Sequence, residues 1–171
     1  MLTFPEPGSY GVVKTHGFVP FMIRMLTRSR YDHAFIVIND AGDIVEAEPD
    51  GARTGNIGEY AGLPMLINSG EAMTDTQRAA VIAAARGYVD VPYAFLDIVR
   101  LALASLGIGW RWLTAEADDE RAMVCSTLVA ACGQSAGVAD WLCGEPCPAL
   151  VRPADLARRP GMQPWPLNPR R

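Results

Sequence analysis

The strongest constraint on the fold is a strand, turn and strand pattern in the first third of the chain. Residues Ala34 to Ile38 are bulky and β-branched, and Ile44-Val45 resumes the same pattern. Between them, Asn39-Asp40-Ala41-Gly42 has the residue types of a tight turn. The pattern predicts an antiparallel hairpin that starts at His33.

The register of this hairpin decides which side chains share a face. A four-residue turn pairs Phe35 with Glu46. Glu46 then lies on the same face as His33 and diagonally offset from it, whereas Glu48 lies directly opposite His33. A slip of one residue would move both glutamates to the other face. In the four-residue register, the sequence predicts an imidazole beside a carboxylate.

A second feature is the apolar run that follows Cys125. Residues Leu128 to Cys132 predict a buried helix that ends near Ala136-Gly137, with Cys125 in its first turn. The positive end of a helix dipole contributes at most about 2 kcal/mol. Lowering a thiol pKa from about 8.5 to about 4 takes roughly 6 kcal/mol. A nucleophilic Cys125 therefore needs a histidine as well, and the chain has 2.

Composition limits the classes of partner. The chain has 171 residues, of which 50% are hydrophobic and 20% charged, as expected for one globular domain. We expect that domain over residues 1–160 and a proline-rich C-terminal tail over residues 161–171. The net charge of -4 and the pI near 5.1 give no reason to expect a nucleic-acid partner.

The sequence shows neither a secretory signal nor a membrane span. Residues 1–7 have no basic start and no apolar run, so we expect a cytoplasmic or virion-associated protein. The most apolar window, Ile98 to Trp112, is interrupted by Arg100 and two glycines, and it is too short to cross a bilayer. We therefore expect no integral membrane segment.

The 4 cysteines indicate free thiols, because no secretory signal accompanies them. Cys143 and Cys147 bracket a tight loop and form either a disulfide or two buried thiols, of which the thiols are favoured. Neither histidine lies at ligand spacing from this pair, so we expect no zinc site there.

The remaining elements follow an order of early strands and late helices. Thr74 and Gln77 have capping-box spacing and start an alanine-rich helix that ends near Gly87. Such an order predicts an α+β fold, a small antiparallel sheet packed against the cysteine helix. The other predicted elements are strands over Tyr10 to Lys14 and Pro64 to Asn68, helices over Val19 to Thr27 and Tyr93 to Leu106, a helical turn at Pro153 to Ala157, and loops over Glu48 to Tyr60 and Thr114 to Arg121.

A thiol, an imidazole and a carboxylate are the groups that a cysteine peptidase uses as nucleophile, general base and orienting residue. Taken singly, each residue has a simpler explanation. His33 is typical of a structural residue at a strand start, Cys125 of a small buried hydrophobe, and Glu46 of an exposed strand residue. What favours catalysis over these explanations is the resemblance of the whole arrangement to a known family.

Three stretches together resemble the NlpC-type papain-like cysteine peptidases. They are Tyr31 to Ile38, Ile44 to Ala47 and Val124 to Val129. More narrowly, the chain is similar to the circularly permuted branch, which includes YiiX-like proteins and the lecithin retinol acyltransferase group. In that branch the histidine strand precedes the cysteine helix, as here. Shorter matches are Pro7-Gly8, Arg24 to Thr27, Pro92-Tyr93 and Pro153 to Leu156, whereas Gly8-Ser9 departs from the family's Gly-Asp pair.

This resemblance implies a papain-like fold and the roles of five residues. Cys125 is implied as nucleophile, His33 as general base and Glu46 as the residue that orients it. Tyr93 and Ser126 are implied to lie at the substrate cleft. No metal or organic cofactor is implied. N–H groups at the helix start, including that of Cys125, would hold the oxyanion.

Three functions remain open at this point. The first is a hydrolase of peptide or isopeptide amides, with bacterial cell-wall peptides as the common substrate class of the superfamily and a thioester acyl-enzyme as intermediate. The second is a lipid acyl hydrolase or acyltransferase that uses the same three residues. The third is a structural component of a phage particle or a cell-wall assembly that retains the fold.

Overall fold

The computed structural model describes residues 4–17, 29–48, 51–69, 72–89 and 117–165. The strands are β1 (Tyr10–Val13), β2 (His33–Val37), β3 (Asp43–Glu48), β4 (Gly51–Asn56), β5 (Met65–Ile67) and β6 (Gln163–Pro164). The α-helices are α1 (Asp75–Tyr88), α2 (Ala117–Ser135) and α3 (Pro153–Ala157), and 3₁₀ helices cover Ile57–Tyr60, Ala139–Leu142 and Pro148–Leu150. Five strands precede the first described helix of the α type, which confirms the predicted α+β class.

The strands form one sheet in the order β4-β3-β2-β1-β5-β6, and every neighbouring pair is antiparallel. The hairpin of β2 and β3 has the predicted register, with Phe35 opposite Glu46. Asn39 closes its turn, because Asn39 Oδ1 accepts a hydrogen bond from the backbone N–H of Asp43 at 3.0 Å. Gly42 has a φ of 80°, which favours glycine. The turn thus fixes the face on which Glu46 lies.

Both faces of the sheet are buried, and the described residues form two apolar clusters. The helix-side cluster packs α1 and α2 on the sheet, and it contains Cys125 with Tyr10, Val12, Ala34, Ile36, Val45 and Leu128 among others. The second cluster lies on the opposite face and contains Val13, Phe35, Val37, Ile44, Ile57, Tyr60, Met65 and Ile67. Alternation along β2 therefore sends successive side chains to different clusters.

Helix α1 begins at the predicted capping box. Gln77 N–H donates to Thr74 Oγ1 at 3.2 Å, and Thr74 N–H donates to Gln77 Oε1 at 3.0 Å. Val81 and Ala85 are fully buried and attach α1 to the helix-side cluster. The helix ends one residue after Gly87, as predicted.

The prediction of a loop from Glu48 to Tyr60 is wrong, because this segment contains β4 and a 3₁₀ helix. The residues of β4 have low β propensity, but β4 pairs with β3 along its whole length. Pairing with β3 at the edge of the sheet therefore outweighs the low β propensity of these residues. Asn56 ends the strand and caps the 3₁₀ helix, since its side chain accepts a hydrogen bond from the N–H of Gly58 and its own N–H donates to Glu59.

Helix α2 begins earlier than the sequence predicted. Residues 117–121, expected in an acidic loop, belong to its first turns. Alanine, glutamate and arginine are strong helix formers, and acidic residues are favoured near a helix N-terminus. The predicted end is confirmed, because Gly137 has a φ of 71° and Val138 N–H donates to the Gly133 carbonyl at 2.8 Å. Cys125 is the ninth residue of α2, so its predicted place in the first turn is wrong.

Several predictions concern residues outside the described ranges. They are the helices over Val19 to Thr27 and Tyr93 to Leu106, the apolar window Ile98 to Trp112, and Tyr93 itself. Within the described residues, no helix combines the length and apolarity needed to cross a bilayer. In the segment expected as a tail, Gln163–Pro164 pairs with β5 at the sheet edge.

All four cysteines are free thiols, so the expectation of thiols at Cys143 and Cys147 is confirmed, but both residues are partly exposed and not buried as expected. Cys125 and Cys132 are buried in α2, and burial raises the pKa of Cys132 to about 12. Cys132 is therefore an inert thiol on the same helix as Cys125.

Gly133 provides a test of the packing between α2 and the 3₁₀ helix Ala139–Leu142. A Cβ at Gly133 would lie 2.6 Å from the Cβ of Trp141, which is fully buried. We predict that Gly133→Ala lowers the free energy of unfolding in urea by about 1–3 kcal/mol, because overpacking outweighs a gain of about 1 kcal/mol in helix propensity. Gly87→Ala is the matched control, since nothing lies within 4 Å of a Cβ there. Equal stability of Gly133→Ala and wild type would contradict this packing.

Candidate functional site

Glu46 is a fully buried carboxylate that contacts three side chains within the described part of the chain. Its Oε2 atom contacts His33 Nε2 at 2.8 Å and accepts a hydrogen bond from the Tyr60 hydroxyl. Arg53 Nη2 lies 2.6 Å from Glu46 Oε1, outside hydrogen-bond geometry, so this contact is an ion pair. A buried carboxylate is costly unless it is paired. These three partners make a charge possible at this position.

The partners also set the ionisation of the pair Glu46 and Tyr60. Burial raises the pKa of Glu46, but the hydrogen bonds from His33 and Tyr60, with the charges of His33 and Arg53, outweigh burial and hold this pKa below its usual value. Burial raises the pKa of Tyr60, and its hydrogen bond to Glu46 raises it further. At neutral pH, Glu46 is therefore an acceptor and Tyr60 a donor.

His33 is the first residue of β2 and contacts side chains from both faces of the sheet. Burial lowers the pKa of His33, but hydrogen bonds with Cys125 and Glu46, and the charges of both, raise it to about 10. Since Nε2 contacts Glu46, Nδ1 is the ring nitrogen left to face the thiol. Cys125 belongs to the helix-side cluster, whereas Glu46 lies opposite Phe35 on the other face. The imidazole is the link between them.

The three residues predicted to be catalytic thus lie together, in the order thiol, imidazole and carboxylate. Their catalytic roles stay predictions. Ser126, predicted at the substrate cleft, is fully buried, and its Oγ donates to the Val151 carbonyl at 2.5 Å. This bond attaches α2 to the segment before α3, and the role of Ser126 at the substrate cleft stays a prediction. Tyr93 lies outside the described residues.

The position of Cys125 changes how its thiolate could be stabilised. As the ninth residue of α2, its N–H lies where helical amides are hydrogen-bonded within the helix, and dipole effects fade beyond the first turn. The predicted oxyanion hole at the helix start, with the Cys125 N–H as a donor, is therefore wrong. Cys125 is also fully buried.

Sequence reasoning missed Arg53 and Tyr60, because both lie in the segment predicted as a loop. Two signals pointed to order there. Asn56 and Glu59 have capping-box spacing. In the predicted hairpin register, a third strand turning back after Glu48 places a basic residue beside Glu46, and the structure pairs Glu46 directly with Arg53.

A group of three metal-ligating side chains overlaps this site. Ligand atoms of His33, Glu46 and Glu48 all lie within 4.8 Å of one another. The donor set does not fit a cation, because the Arg53 guanidinium already lies 2.6 Å from Glu46 Oε1, and the charge of Glu48 also acts on Arg53. A cation here would also face the His33 imidazolium. Arg53 and His33 supply the positive charge beside these carboxylates.

Comparison with known proteins shows the fold and leaves the family open. No family model matches the sequence, and neither does any curated protein. Among solved structures, the crystal structure of metalloprotein yiiX from Escherichia coli O157:H7 is similar, with a TM-score of 0.58 and 16% sequence identity. The likeness covers 94% of this chain and 96% of that chain. The protein therefore has a YiiX-like α+β fold.

The raised pKa of His33 predicts a pH-dependent contribution to stability. An unfolded histidine titrates near 6.5, so the contribution of the His33 imidazolium is complete below that pH and is lost as the pH rises through about 10. The lowered pKa of Glu46 keeps its carboxylate ionised across this whole range. Urea unfolding of wild type and His33→Gln, at about pH 6 and about pH 10, measures the combined effect of His33 and the groups that it contacts, because titrations elsewhere in the protein cancel in the difference. We expect the difference in free energy of unfolding between wild type and His33→Gln to be smaller at the higher pH. An equal difference at both pH values would contradict the raised pKa of His33.

Proposed function

We propose that the protein is a cysteine hydrolase of amide bonds, with Cys125 as nucleophile, His33 as general base and Glu46 as orienting residue. One observation carries the proposal: the His33 imidazole hydrogen-bonds with Cys125 on one side and with buried Glu46 on the other. This is the arrangement that turns a weak nucleophile into an active one. Since the helix dipole contributes little at Cys125, activation depends on the imidazole.

The finer fold assignment belongs to the same proposal. We place the chain in the circularly permuted branch of the NlpC-type papain-like peptidases. The YiiX-like fold supports this placement. Chain order supports it as well, because the histidine strand β2 precedes the cysteine helix α2.

The proposed reaction is acyl transfer in two steps. The Cys125 thiolate attacks the amide carbonyl carbon, and a thioester forms as the C–N bond breaks. His33 Nδ1 gives its proton to the leaving amine. Water then attacks the thioester, its proton goes to Nδ1, and the C–S bond breaks to release the acid and restore the thiolate. Throughout, Nε2 keeps its proton and its contact with Glu46.

We propose peptide or isopeptide amides as substrates, with bacterial cell-wall peptides as the class to test first. The buried site favours an enzyme over a scaffold in a phage particle or cell-wall assembly. A fully buried Glu46 with its three partners costs desolvation, and packed apolar residues would serve a scaffold at least as well. Lipid acyl hydrolysis would use the same three residues. Assays with peptide and with lipid substrates distinguish it from amide hydrolysis.

The direct test is product release by matched cysteine variants. Purified cell-wall peptides are incubated with wild type, Cys125→Ala and Cys132→Ala, and new amino groups are measured. We expect release by wild type and Cys132→Ala, and a loss of about a thousandfold or more in Cys125→Ala, because the nucleophile is gone. Cys132 is the control because it is buried in the same helix and inert.

Parallel reactions with phospholipid vesicles measure free fatty acid. Release of fatty acid without release of amine would contradict the amide assignment and favour the lipid hydrolase. Equal release of amine by wild type and Cys125→Ala would contradict cysteine catalysis.

A further inference from the structure

We propose that Tyr60 is a positioning residue, whose hydroxyl keeps Glu46 ionised and directed at His33 while the imidazole changes charge. This inference rests on the proposed function, since the charge of His33 alternates only if His33 takes part in catalysis. Arg53 has a lesser role of the same kind. The 3₁₀ helix Ile57–Tyr60 and strand β4 thus position Glu46 through Tyr60 and Arg53.

The ring of Tyr60 is held in place independently of its hydroxyl. It stacks on Phe35, with ring centroids 5.7 Å apart and planes inclined by 10°. It also lies 5.8 Å from the His33 ring. Phe35 is fully buried, so it gives Tyr60 a fixed surface. The hydroxyl is therefore directed at the carboxylate oxygen that His33 also contacts.

Strand β4 leaves space for the Glu46 carboxylate and places the Arg53 guanidinium beside it. A Cβ at Gly55 would lie 2.9 Å from Glu46 Oε1. Arg53 is directly opposite Glu46 in the sheet and also bonds Glu59, with 3.1 Å between Arg53 Nη2 and Glu59 Oε2. The Arg53 side chain is 45% exposed, so water screens its charge. Buried Tyr60 is the less screened partner.

The chemistry explains why Glu46 needs a donor besides His33. While His33 is an imidazolium, its Nε2–H faces Glu46. A buried carboxylate without other donors would take that proton and become a neutral acid beside a neutral imidazole, so the imidazolium that stabilises the Cys125 thiolate would be lost. The Tyr60 hydrogen bond stabilises Glu46 as a carboxylate. The raised pKa of Tyr60 keeps the phenol protonated meanwhile.

Among the residues that the structure describes, the charged and titratable groups around Glu46 come from five elements. They are His33 on β2, Glu48 on β3, Arg53 on β4, Glu59 and Tyr60 in the 3₁₀ helix, and Cys125 on α2. Tyr60 shares a carboxylate oxygen with His33, so its removal acts on the His33 contact directly.

The test is the pH profile of Cys125 alkylation in the variant Tyr60→Phe, which keeps the stacked ring and removes the hydroxyl. Iodoacetate is the probe, because this anion reacts fastest with a thiolate beside an imidazolium, and mutation of Cys143 and Cys147 to serine removes the partly exposed thiols. We expect a bell-shaped profile in wild type. In Tyr60→Phe the more basic Glu46 takes the Nε2 proton more readily, so the bell narrows, its lower limb moves up by about one pH unit, and labelling near pH 6 slows several-fold.

Tyr10→Phe is the matched control. The Tyr10 hydroxyl is also buried and donates to the Leu156 carbonyl at 3.1 Å, and Tyr10 packs in the helix-side cluster, on the opposite face of the sheet from Glu46. Both variants lose one hydrogen bond, so both lose some stability. Only Tyr60→Phe should change the pH profile. Arg53→Gln, whose side chain is partly exposed, should narrow the bell in the same direction by a smaller amount and guards against a Tyr60 variant that does not fold.

The possible results separate the two proposals. A bell in wild type that is unchanged in Tyr60→Phe and Arg53→Gln would overturn the positioning role and leave the proposed function intact. Equal narrowing in Tyr10→Phe would overturn it too, since the effect would then be general. Cys125 labelling in wild type with the profile of an ordinary thiol would overturn the proposed function itself.

Discussion

The structure of the site depends on one constraint, the burial of an ionised carboxylate at Glu46. A buried carboxylate needs donors and a counter-charge, and these come from three separate parts of the chain. The hairpin supplies His33, strand β4 supplies Arg53, and the 3₁₀ helix supplies Tyr60. The otherwise weak β4 segment is therefore part of the site as well as of the sheet.

His33 connects buried Glu46 with Cys125 on the other face of the sheet. Its position at the start of β2 lets one ring contact Glu46 on one side and Cys125 on the other. Because Cys125 lies in the third turn of α2, the helix dipole cannot replace the imidazole. The thiol, the imidazole and the carboxylate consequently form one coupled system, and each is an ordinary buried group without the others.

The predictable parts were those governed by local rules. Alternation and the Asn39 to Gly42 turn gave the register that places Glu46, and the capping box of Thr74 gave the start of α1. Tertiary pairing decided the rest. Strand β4 exists because β3 offers an edge, although its glycines and polar residues disfavour a strand. The start of α2 was missed because its acidic residues suit a solvated loop and a helix N-terminus equally well.

The central claim is that His33 is held as an imidazolium between Cys125 and Glu46. Titration of the two imidazoles by NMR tests it most directly, with a His16→Gln variant to assign the signals. The coupled site predicts that His33 stays protonated well above neutral pH, toward its expected pKa of about 10, and that Glu46→Gln lowers this pKa. An imidazole of His33 that titrates near 6.5, unchanged by Glu46→Gln, would contradict the account.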